Sequence, residues 1–252
     1  MSEKILTETN GAVTTIVINR PAVRNALDRE ATVALGAALR AFEADDTAKV
    51  AVLCGAGGAF CAGADLKELA GGAQYNAWAG ADGPLSRPAS KPVIAAVAGH
   101  ACAGGLGLAL WCDIRIAEES AAFAVLSRRW GVPMSDGTTV RLPRLIGTSL
   151  ALDMLLTARM VSAQEALQMG LATRVVPDGT ARAAAETLAA TIAAFPQIAM
   201  NSDRASVYRQ EGETMPDALA LEAELAERAK HVEAQAGASR FAAGLGRHGA
   251  LA

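Results

Sequence analysis

Short apolar runs alternate with helical spacings over most of the chain. Val50–Cys54, Pro92–Val97 and Ile114–Ala117 are short apolar runs with β-branched residues, and they predict buried strands. Between such runs, Asp28 is placed to cap a helix that continues to about Glu43 with one apolar face. Because strands that alternate with helices form parallel-rich sheets, this pattern predicts an α/β core.

The other predicted elements are bounded by turn and capping residues. Asn10-Gly11 is a strong hairpin signal and predicts two paired strands around it. Gln74–Ser90 is rich in Gly and Pro and is interpreted as an ambiguous segment with one helical piece. Further strands are expected at Ala121–Val125 and Thr173–Val176, and helices at Thr138–Leu145, Ser149–Leu156 and Ala163–Met169.

The chain changes character at Pro177. Beyond this residue it is alanine-rich and helical, without a strand signal. We therefore predict a core at residues 1–177 and a helical region at residues 178–252. The apolar side chains of the helical region need a partner surface, which predicts that this region serves in oligomerisation or as a lid. The expected helices are Ala181–Ala194, Ile198–Glu211 and Pro216–Ala236, and the apolar residues are Leu188, Ile192, Leu219, Leu221 and Leu225.

Two glycine- and alanine-rich turns at helix starts are the main candidates for chemistry. Gly104 and Gly105 follow the strand Pro92–Val97 and begin a helix, and Phe60–Lys67 leads into a second short helix. The first N–H groups of a helix are free and carry partial positive charge. They can hold a phosphate, a carboxylate or a developing oxyanion. The alternative is close packing of strand on helix, which also needs small residues.

Composition and charge argue against several classes of protein. The net charge is −3, with both signs interspersed along the chain, so neither nucleic acid nor an anionic membrane surface is an expected partner. No apolar run reaches the ~18 residues of a membrane helix, and the N-terminus has no signal-peptide pattern. Four cysteines in apolar contexts predict buried thiols in a reducing, cytoplasmic setting, and their spacing matches no metal site. They are Cys54, Cys61, Cys102 and Cys112.

Six pieces of the sequence, in this order, resemble the crotonase (enoyl-CoA hydratase/isomerase) superfamily. Together they cover about residues 12–177, and the helical tail is similar in kind. The pieces are Asn19-Arg20-Pro21 with Asn25-Ala26-Leu27; Phe60–Lys67; Lys91-Pro92-Val93-Ile94-Ala95; Gly104-Gly105 with Cys112-Asp113; Arg141-Leu142-Pro143 with Gly147; and Gly170-Leu171 before Val175-Val176-Pro177.

The resemblance implies a spiral of ββα units with a C-terminal helical region, assembled as a homotrimer or hexamer. It implies an acyl-CoA substrate in fatty-acid metabolism, with no cofactor beyond the CoA moiety. Two backbone N–H groups hold the thioester oxygen in that family, and by motif they fall on Ala64 and Gly104. The residues that correspond to CoA contacts are Arg24, Ala62, Ala64, Asp65, Leu66 and Lys67. For Asp65 the alternative is a helix cap, and for Lys67 a solvated helix residue.

The sequence departs from the family at its acid–base positions. Hydratases of the family use two glutamates, and the corresponding positions hold Gly107 and Ser127. Hydration needs a base for water and an acid for the α-carbon, and this alignment supplies neither. Asp136 is the nearest downstream carboxylate and the catalytic candidate. Its alternative role is an N-cap for the helix at Thr138.

Three functional hypotheses follow from these departures. In the first, the protein is an enoyl-CoA hydratase/isomerase-like enzyme, a lyase or isomerase that stabilises the enolate of a CoA thioester. In the second, it is a non-catalytic acyl-CoA binder or carrier that kept the pocket. A structural partner in a larger acyl-CoA complex is the third alternative. The sequence leaves open the acyl chain, the pathway and the type of reaction.

Overall fold

The computed structural model describes residues 3–72 and 85–245, and nine strands lie within them. The hairpin, the three buried strands and the two later strands predicted from the sequence are all present. Residues 73–84, which hold most of the segment Gln74–Ser90, lie outside the described residues. The strands are β1 (Ile5–Asn10), β2 (Val13–Ile18), β3 (Val50–Gly55), β4 (Val93–Val97), β5 (His100–Cys102), β6 (Ile114–Glu118), β7 (Ala122–Ala124), β8 (Met160–Ser162) and β9 (Arg174–Val176).

Helices occupy the positions that the sequence predicts, and helical structure continues beyond the expected end at Ala236 to Ala242. Short 3-10 helices lie at Pro21–Val23, Ala56–Gly58 and Leu126–Trp130, and a π-helical segment lies at Lys230–Ala234. The α-helices are α1 (Arg29–Ala44), α2 (Leu66–Ala70), α3 (Gly104–Trp111), α4 (Thr138–Ile146), α5 (Thr148–Thr157), α6 (Ala163–Gln168), α7 (Ala181–Ala193), α8 (Gln197–Arg209), α9 (Met215–Ala229) and α10 (Gln235–Ala242).

Six strands form one large sheet in the order β1-β2-β3-β4-β6-β9. β1 and β2 are antiparallel, with Asn10 opposite Val13, and every later neighbour in this sheet is parallel. A second sheet has the order β5-β7-β8. The sequence did not predict β5 or β8, whereas the equally short β9 was marked by Pro177, which follows it. A strand of three residues is too short to show a period of two by itself.

The large sheet is buried on both faces, as parallel strands usually are. Val50 and Val52 of β3 pack in the cluster that contains α7, whereas Ala51 and Leu53 pack in the cluster that contains α1. This alternation follows from the period of two along a strand. The helical residues involved are Ala181, Ala185 and Ala189 of α7, and Leu35, Leu39 and Phe42 of α1.

The chain divides into two compact units, residues 1–193 and 194–252. The division falls beyond Pro177 because α7 packs on the large sheet and so belongs with it. Leu188 and Ile192, which were expected to need a partner, pack against this same cluster. The predicted role of residues 178–252 in oligomerisation or as a lid remains a prediction.

The second unit is helical throughout its described part. Glu233, in the π-helical segment, accepts hydrogen bonds from Ile198 N at 3.1 Å and Ala199 N at 2.8 Å and so caps α8. Leu219 of α9 is 55% exposed. Among the described residues, no single helix is long and apolar enough to cross a membrane. The consecutive helices α7 and α8 reach the required length and apolar composition only when they are counted together.

Candidate active site

A cavity of about 470 Å³ in the first unit is lined by both glycine-rich turns and by the loop before α4. The loop runs from the 3-10 helix at Leu126–Trp130 to the start of α4. The lining residues are Arg24, Ala62, Ala64, Leu66, Leu69, His100, Cys102, Ala103, Gly104, Leu126, Ser127, Trp130, Val132, Pro133, Met134, Ser135 and Asp136.

The two turns approach each other closely enough to require glycine. A Cβ on Gly63 would lie 2.9 Å from Gly104 N, and one on Gly105 would lie 2.0 Å from Cys61 O. Gly63 also takes φ +97°, which favours glycine. Cys102 N donates a hydrogen bond to Cys61 O at 2.9 Å. The two turns are therefore one piece of structure at the wall of the cavity.

The peptide units that carry the N–H groups of Ala64 and Gly104 are each fixed at their carbonyl end. Gly63 O, in the same peptide unit as Ala64 N, accepts a hydrogen bond from Leu27 N at 2.8 Å. Ala103 O, in the same unit as Gly104 N, accepts one from Leu106 N at 2.9 Å. Because C=O and N–H of a trans peptide point in opposite directions, both N–H groups point away from these partners. Neither donates to a protein acceptor within residues 3–72 and 85–245.

The carboxyl group of Asp136 lies against the backbone of Gly107 in α3. A Cβ on Gly107 would be 2.4 Å from both Cγ and Oδ2 of Asp136, and 2.9 Å from its Oδ1. Asp136 is only 2% exposed, yet it lines the cavity. Its carboxyl group therefore fills the space that any side chain at position 107 would enter.

The position of Asp136 is set by the start of α4. Thr138 N donates a hydrogen bond to Asp136 Oδ1 at 2.9 Å. The N-cap residue of α4 is Gly137, so Asp136 lies one residue before the cap position expected as its alternative role and forms a local Asx-type turn with Thr138 instead. Arg141 Nη1 donates to the backbone oxygen of Asp136 at 3.0 Å. Burial raises the pKa of the Asp136 carboxyl above its ordinary value of 3.8, because desolvation outweighs the hydrogen bonds from Thr138 and the charge of Arg141. A buried carboxyl of this kind is suited to exchange protons nearer neutral pH.

Comparison with known proteins identifies the family. The family model described as enoyl-CoA hydratase/isomerase matches residues 8–245. The chain belongs to the enoyl-CoA hydratase/isomerase family. Enoyl-CoA hydratase EchA19 of Mycobacterium tuberculosis is 39% identical over 220 residues, covering 84% of this chain and 82% of that protein. Carnitinyl-CoA dehydratase of Proteus mirabilis is 36% identical over 218 residues, with 84% and 83% covered.

The solved structures support the same assignment. The crystal structure of enoyl-CoA hydratase EchA1 from Mycobacterium marinum matches with a TM-score of 0.90 at 32% identity, covering 95% of this chain and 96% of that one. The predicted crotonase superfamily, its α/β fold with a C-terminal helical region, and an enzyme of the hydratase/isomerase type are thereby confirmed.

The CoA-binding residues predicted from the family pattern divide into two groups. Arg24, Ala62 and Leu66 line the cavity with Ala64, but Asp65 and Lys67 do not. Asp65 Oδ1 instead accepts a hydrogen bond from Lys67 N at 3.1 Å and caps α2, which was its alternative role. Contact of each residue with CoA remains a prediction.

Ser127, the second position at which the family pattern predicts a glutamate, is 7% exposed. Its hydroxyl group donates to Met134 Sδ at 3.2 Å, and both residues line the cavity. Among the described residues of the lining, Asp136 is the only carboxylate. The described part of this site therefore contains one acidic group, that of Asp136.

Several lining residues were missed or discounted from the sequence. His100 and Cys102 both line the cavity because they alternate along β5 with the buried Ala101. Trp130 is 72% exposed and borders the cavity. Recognition of β5 as a strand would have placed His100 and Cys102 on the same face of the sheet.

The cysteines at this site are poorly suited to act as nucleophiles. Burial raises the pKa of Cys102 to about 11 and that of Cys61 to about 12, so the thiolate is scarce near neutral pH. All four cysteines are free and buried. In the described part of the chain, no group of three His, Cys, Asp or Glu side chains could hold a metal ion.

Proposed function

We propose that this protein transfers protons on the acyl group of a CoA thioester, with Asp136 as its acid–base group. The N–H groups of Ala64 and Gly104 form the oxyanion hole in this proposal. The arrangement is supported by two fixed amides that line the same cavity as a buried carboxyl group. The substrate needs no cofactor beyond its own CoA moiety.

One observation carries the proposal: the Asp136 carboxyl group fills the space at Gly107. The family pattern expects a glutamate at this position of α3. A carboxyl that reaches the same space from the loop before α4 supplies the missing group by another route. The glycine at 107 is then a requirement of Asp136, because a side chain there would collide with it.

The presence of one carboxylate among the described lining residues favours a proton shift over hydration. For a 3-enoyl thioester, Asp136 takes a proton from the α-carbon, and the C–H electron pair delocalises onto the thioester oxygen. The N–H groups of Ala64 and Gly104 stabilise that charge. Protonated Asp136 then returns the proton to the γ-carbon, which yields the 2-enoyl thioester without any co-reactant. Hydration in one step would need a second group, and Ser127 is a poor proton carrier.

The second candidate is a non-catalytic acyl-CoA binder or carrier. It is favoured by the Ser127 hydroxyl, which points its hydrogen bond at Met134 Sδ. It is also favoured by Asp136, whose hydrogen bond from Thr138 N is accounted for by a local turn before α4 alone. In this alternative the cavity binds the thioester without turning it over.

Turnover and binding, measured on one panel of acyl-CoAs, separate the two functions. The panel contains 3-enoyl, 2-enoyl and saturated thioesters, followed by absorbance for the shift or hydration and by calorimetry for binding. The proposal expects conversion of 3-enoyl to 2-enoyl thioesters. Binding without any conversion supports the carrier, and absence of binding at millimolar ligand contradicts both. A ligand at about 100 times its dissociation constant raises the free energy of unfolding by ~2.7 kcal/mol.

We further propose that the protein works as a homotrimer or hexamer in the cytoplasm. The exposed apolar side chains of the second unit support association. The free, buried cysteines support a reducing compartment. Light scattering at working concentration tests the proposed oligomeric state, and a monomeric mass contradicts it. The exposed apolar side chains include those of Val207, Met215, Leu219, Val232 and Phe241.

A further inference from the structure

A largely buried arginine joins the starts of two helices beside the cavity. Arg20 Nη2 lies 2.9 Å from Asp28 Oδ2 and 3.1 Å from Asp65 Oδ2. The side chains of Arg20, Asp28 and Asp65 are 16%, 14% and 13% exposed. Charge-assisted hydrogen bonds at such partly desolvated sites are stronger than those on an open surface.

Each carboxylate uses its other oxygen to cap a helix. Asp28 Oδ1 accepts a hydrogen bond from Ala31 N of α1 at 2.8 Å, and Asp65 Oδ1 accepts one from Lys67 N of α2 at 3.1 Å. One guanidinium group therefore links two N-terminal caps, beside the hydrogen bond of 2.8 Å from Arg29 N of α1 to Glu68 Oε2 of α2. Arg20 also donates through Nη1 to Ala26 O, which anchors it on the same loop.

The peptide unit that carries Ala64 N–H lies between these two caps. Leu27 precedes Asp28 and Ala64 precedes Asp65, and the two form a parallel bridge. Leu27 N donates to Gly63 O at 2.8 Å, and Asp65 N donates to Leu27 O at 2.9 Å. If Asp65 moves away from Asp28, this pair of bonds is lost and the Ala64 N–H group changes direction.

We propose that Arg20 is a positioning residue that aims the Ala64 N–H group at the thioester oxygen by clamping Asp65 to Asp28. The inference rests on the proposed function for the identity of the oxyanion. Arg20 does not line the cavity in the described structure, so its effect passes through Asp65. Misplacement of a catalytic group by about 1 Å is enough to cost ~10²-fold in rate.

Two variants and one control test the proposal. Arg20→Gln removes the clamp, and Asp65→Asn removes the charge but keeps an oxygen that can cap α2. Both should lower kcat by roughly 10- to 100-fold with KM nearly unchanged. The double variant should be no slower than the slower single one, because both remove one linkage. Lys4→Gln is the control, since Lys4 pairs with Asp28 at 2.7 Å and with Glu30 but not with Asp65. Its kcat should match that of the wild type.

Amide hydrogen exchange supplies a readout that does not depend on activity. The peptide that contains Ala64 should exchange faster in Arg20→Gln and Asp65→Asn than in the wild type or Lys4→Gln. A merely structural role would lower thermal stability and leave kcat per folded site intact, which would overturn the proposal. Unchanged exchange in the Ala64 peptide would also overturn it. If the wild type converts no acyl-CoA, the proposed function fails, and exchange alone decides whether Arg20 positions this segment.

Discussion

Cγ of Asp136 lies 2.4 Å from the point that a Cβ on Gly107 would occupy. The two residues are 29 positions apart along the chain and come together where the loop before α4 meets α3. A side chain at 107 and the present position of the Asp136 carboxyl group exclude each other. The glycine and the aspartate are therefore best tested as a pair.

Asp136→Asn should reduce turnover and leave ligand binding nearly unchanged. A positioned acid–base group is typically worth ~10²–10⁴ in rate, and asparagine cannot accept or return a proton. Asparagine keeps the size of the side chain and an oxygen for Thr138 N, so the cavity should keep its shape. Steady-state kinetics and calorimetry on the best substrate measure the two effects. Exposed Asp203→Asn is the control for loss of one negative charge. Full activity of Asp136→Asn would assign this residue to a structural role in the turn before α4.

Gly107→Ala should disturb the site although it adds only one methyl group. That methyl group would displace the Asp136 carboxyl group, so kcat should fall by roughly 10- to 100-fold. Gly107→Glu alone should lower kcat further. Gly107→Glu combined with Asp136→Ala should recover part of the activity, because the carboxyl group is then supplied from α3. Steady-state kinetics of the wild type, Gly107→Ala, Gly107→Glu, Asp136→Ala and the double variant measure these effects. Additive losses in the double variant would count against a shared space.

Hydration of crotonyl-CoA by the wild type should be very weak. Gly107 has no side chain, and the Ser127 hydroxyl is a poor acid or base near neutral pH. Gly107→Glu with Ser127→Glu restores both expected carboxylates, yet the gain requires Asp136→Ala as well, because the space beside position 107 is filled. Loss of the absorbance of the conjugated 2-enoyl thioester measures the rate of hydration. Strong hydration by the wild type would mean that other groups do the chemistry.

Asp136→Asn should also change the pH dependence of stability. The folded-state pKa of Asp136 is raised above 3.8, so its contribution to stability is complete below that pH and is lost as pH rises through the folded pKa. Asparagine does not ionise. The free energy of unfolding of the variant should therefore rise relative to that of the wild type as pH rises, by about 1.4 kcal/mol for each unit by which the pKa is raised. Urea unfolding at pH 4 and pH 7 measures the difference. An equal or larger gain at pH 4 would contradict the raised pKa.

Arg24→Ala should weaken binding of the CoA moiety more than Lys67→Ala does. Arg24 lines the cavity and Lys67 does not, so only Arg24 is placed to meet a phosphate there. Loss of a hydrogen bond to a charged group costs about 1.5–3 kcal/mol, which is roughly a 10- to 100-fold rise in dissociation constant. Calorimetry with CoA itself makes the comparison. A larger effect at Lys67 would reverse the assignment.

Much of the fold could be predicted from the sequence because its signals are local. Asp28 caps α1, and Asn10-Gly11 joins β1 to β2, as the residue types alone indicate. The boundary after Ala193 could not be read in this way. The alanines of α7 match the composition of the helices beyond it, and only packing on the sheet assigns that helix to the first unit.

The site could be predicted in part. Gly63 and Gly104 mark the two turns in the sequence, but their contact is a tertiary fact that no spacing reveals. The sequence shows only that Gly107 stands where the family pattern expects a carboxylate. That Asp136 fills the space beside Gly107 is likewise a tertiary contact, which the sequence does not reveal. Arg20 was visible only as part of a motif, since its partner Asp65 lies 45 positions away.

Deuterium exchange at the acyl chain tests the role of Asp136 most directly, because it reports proton transfer whatever the final product is. The protein is incubated in D2O with 3-enoyl and saturated acyl-CoAs, and mass spectrometry follows deuterium at the α-carbon. The account predicts that the wild type exchanges this proton, and that Asp136→Asn slows exchange by ~10²–10⁴. Exchange that is unaffected by Asp136→Asn, or absent in a wild type that binds the thioester, would contradict it.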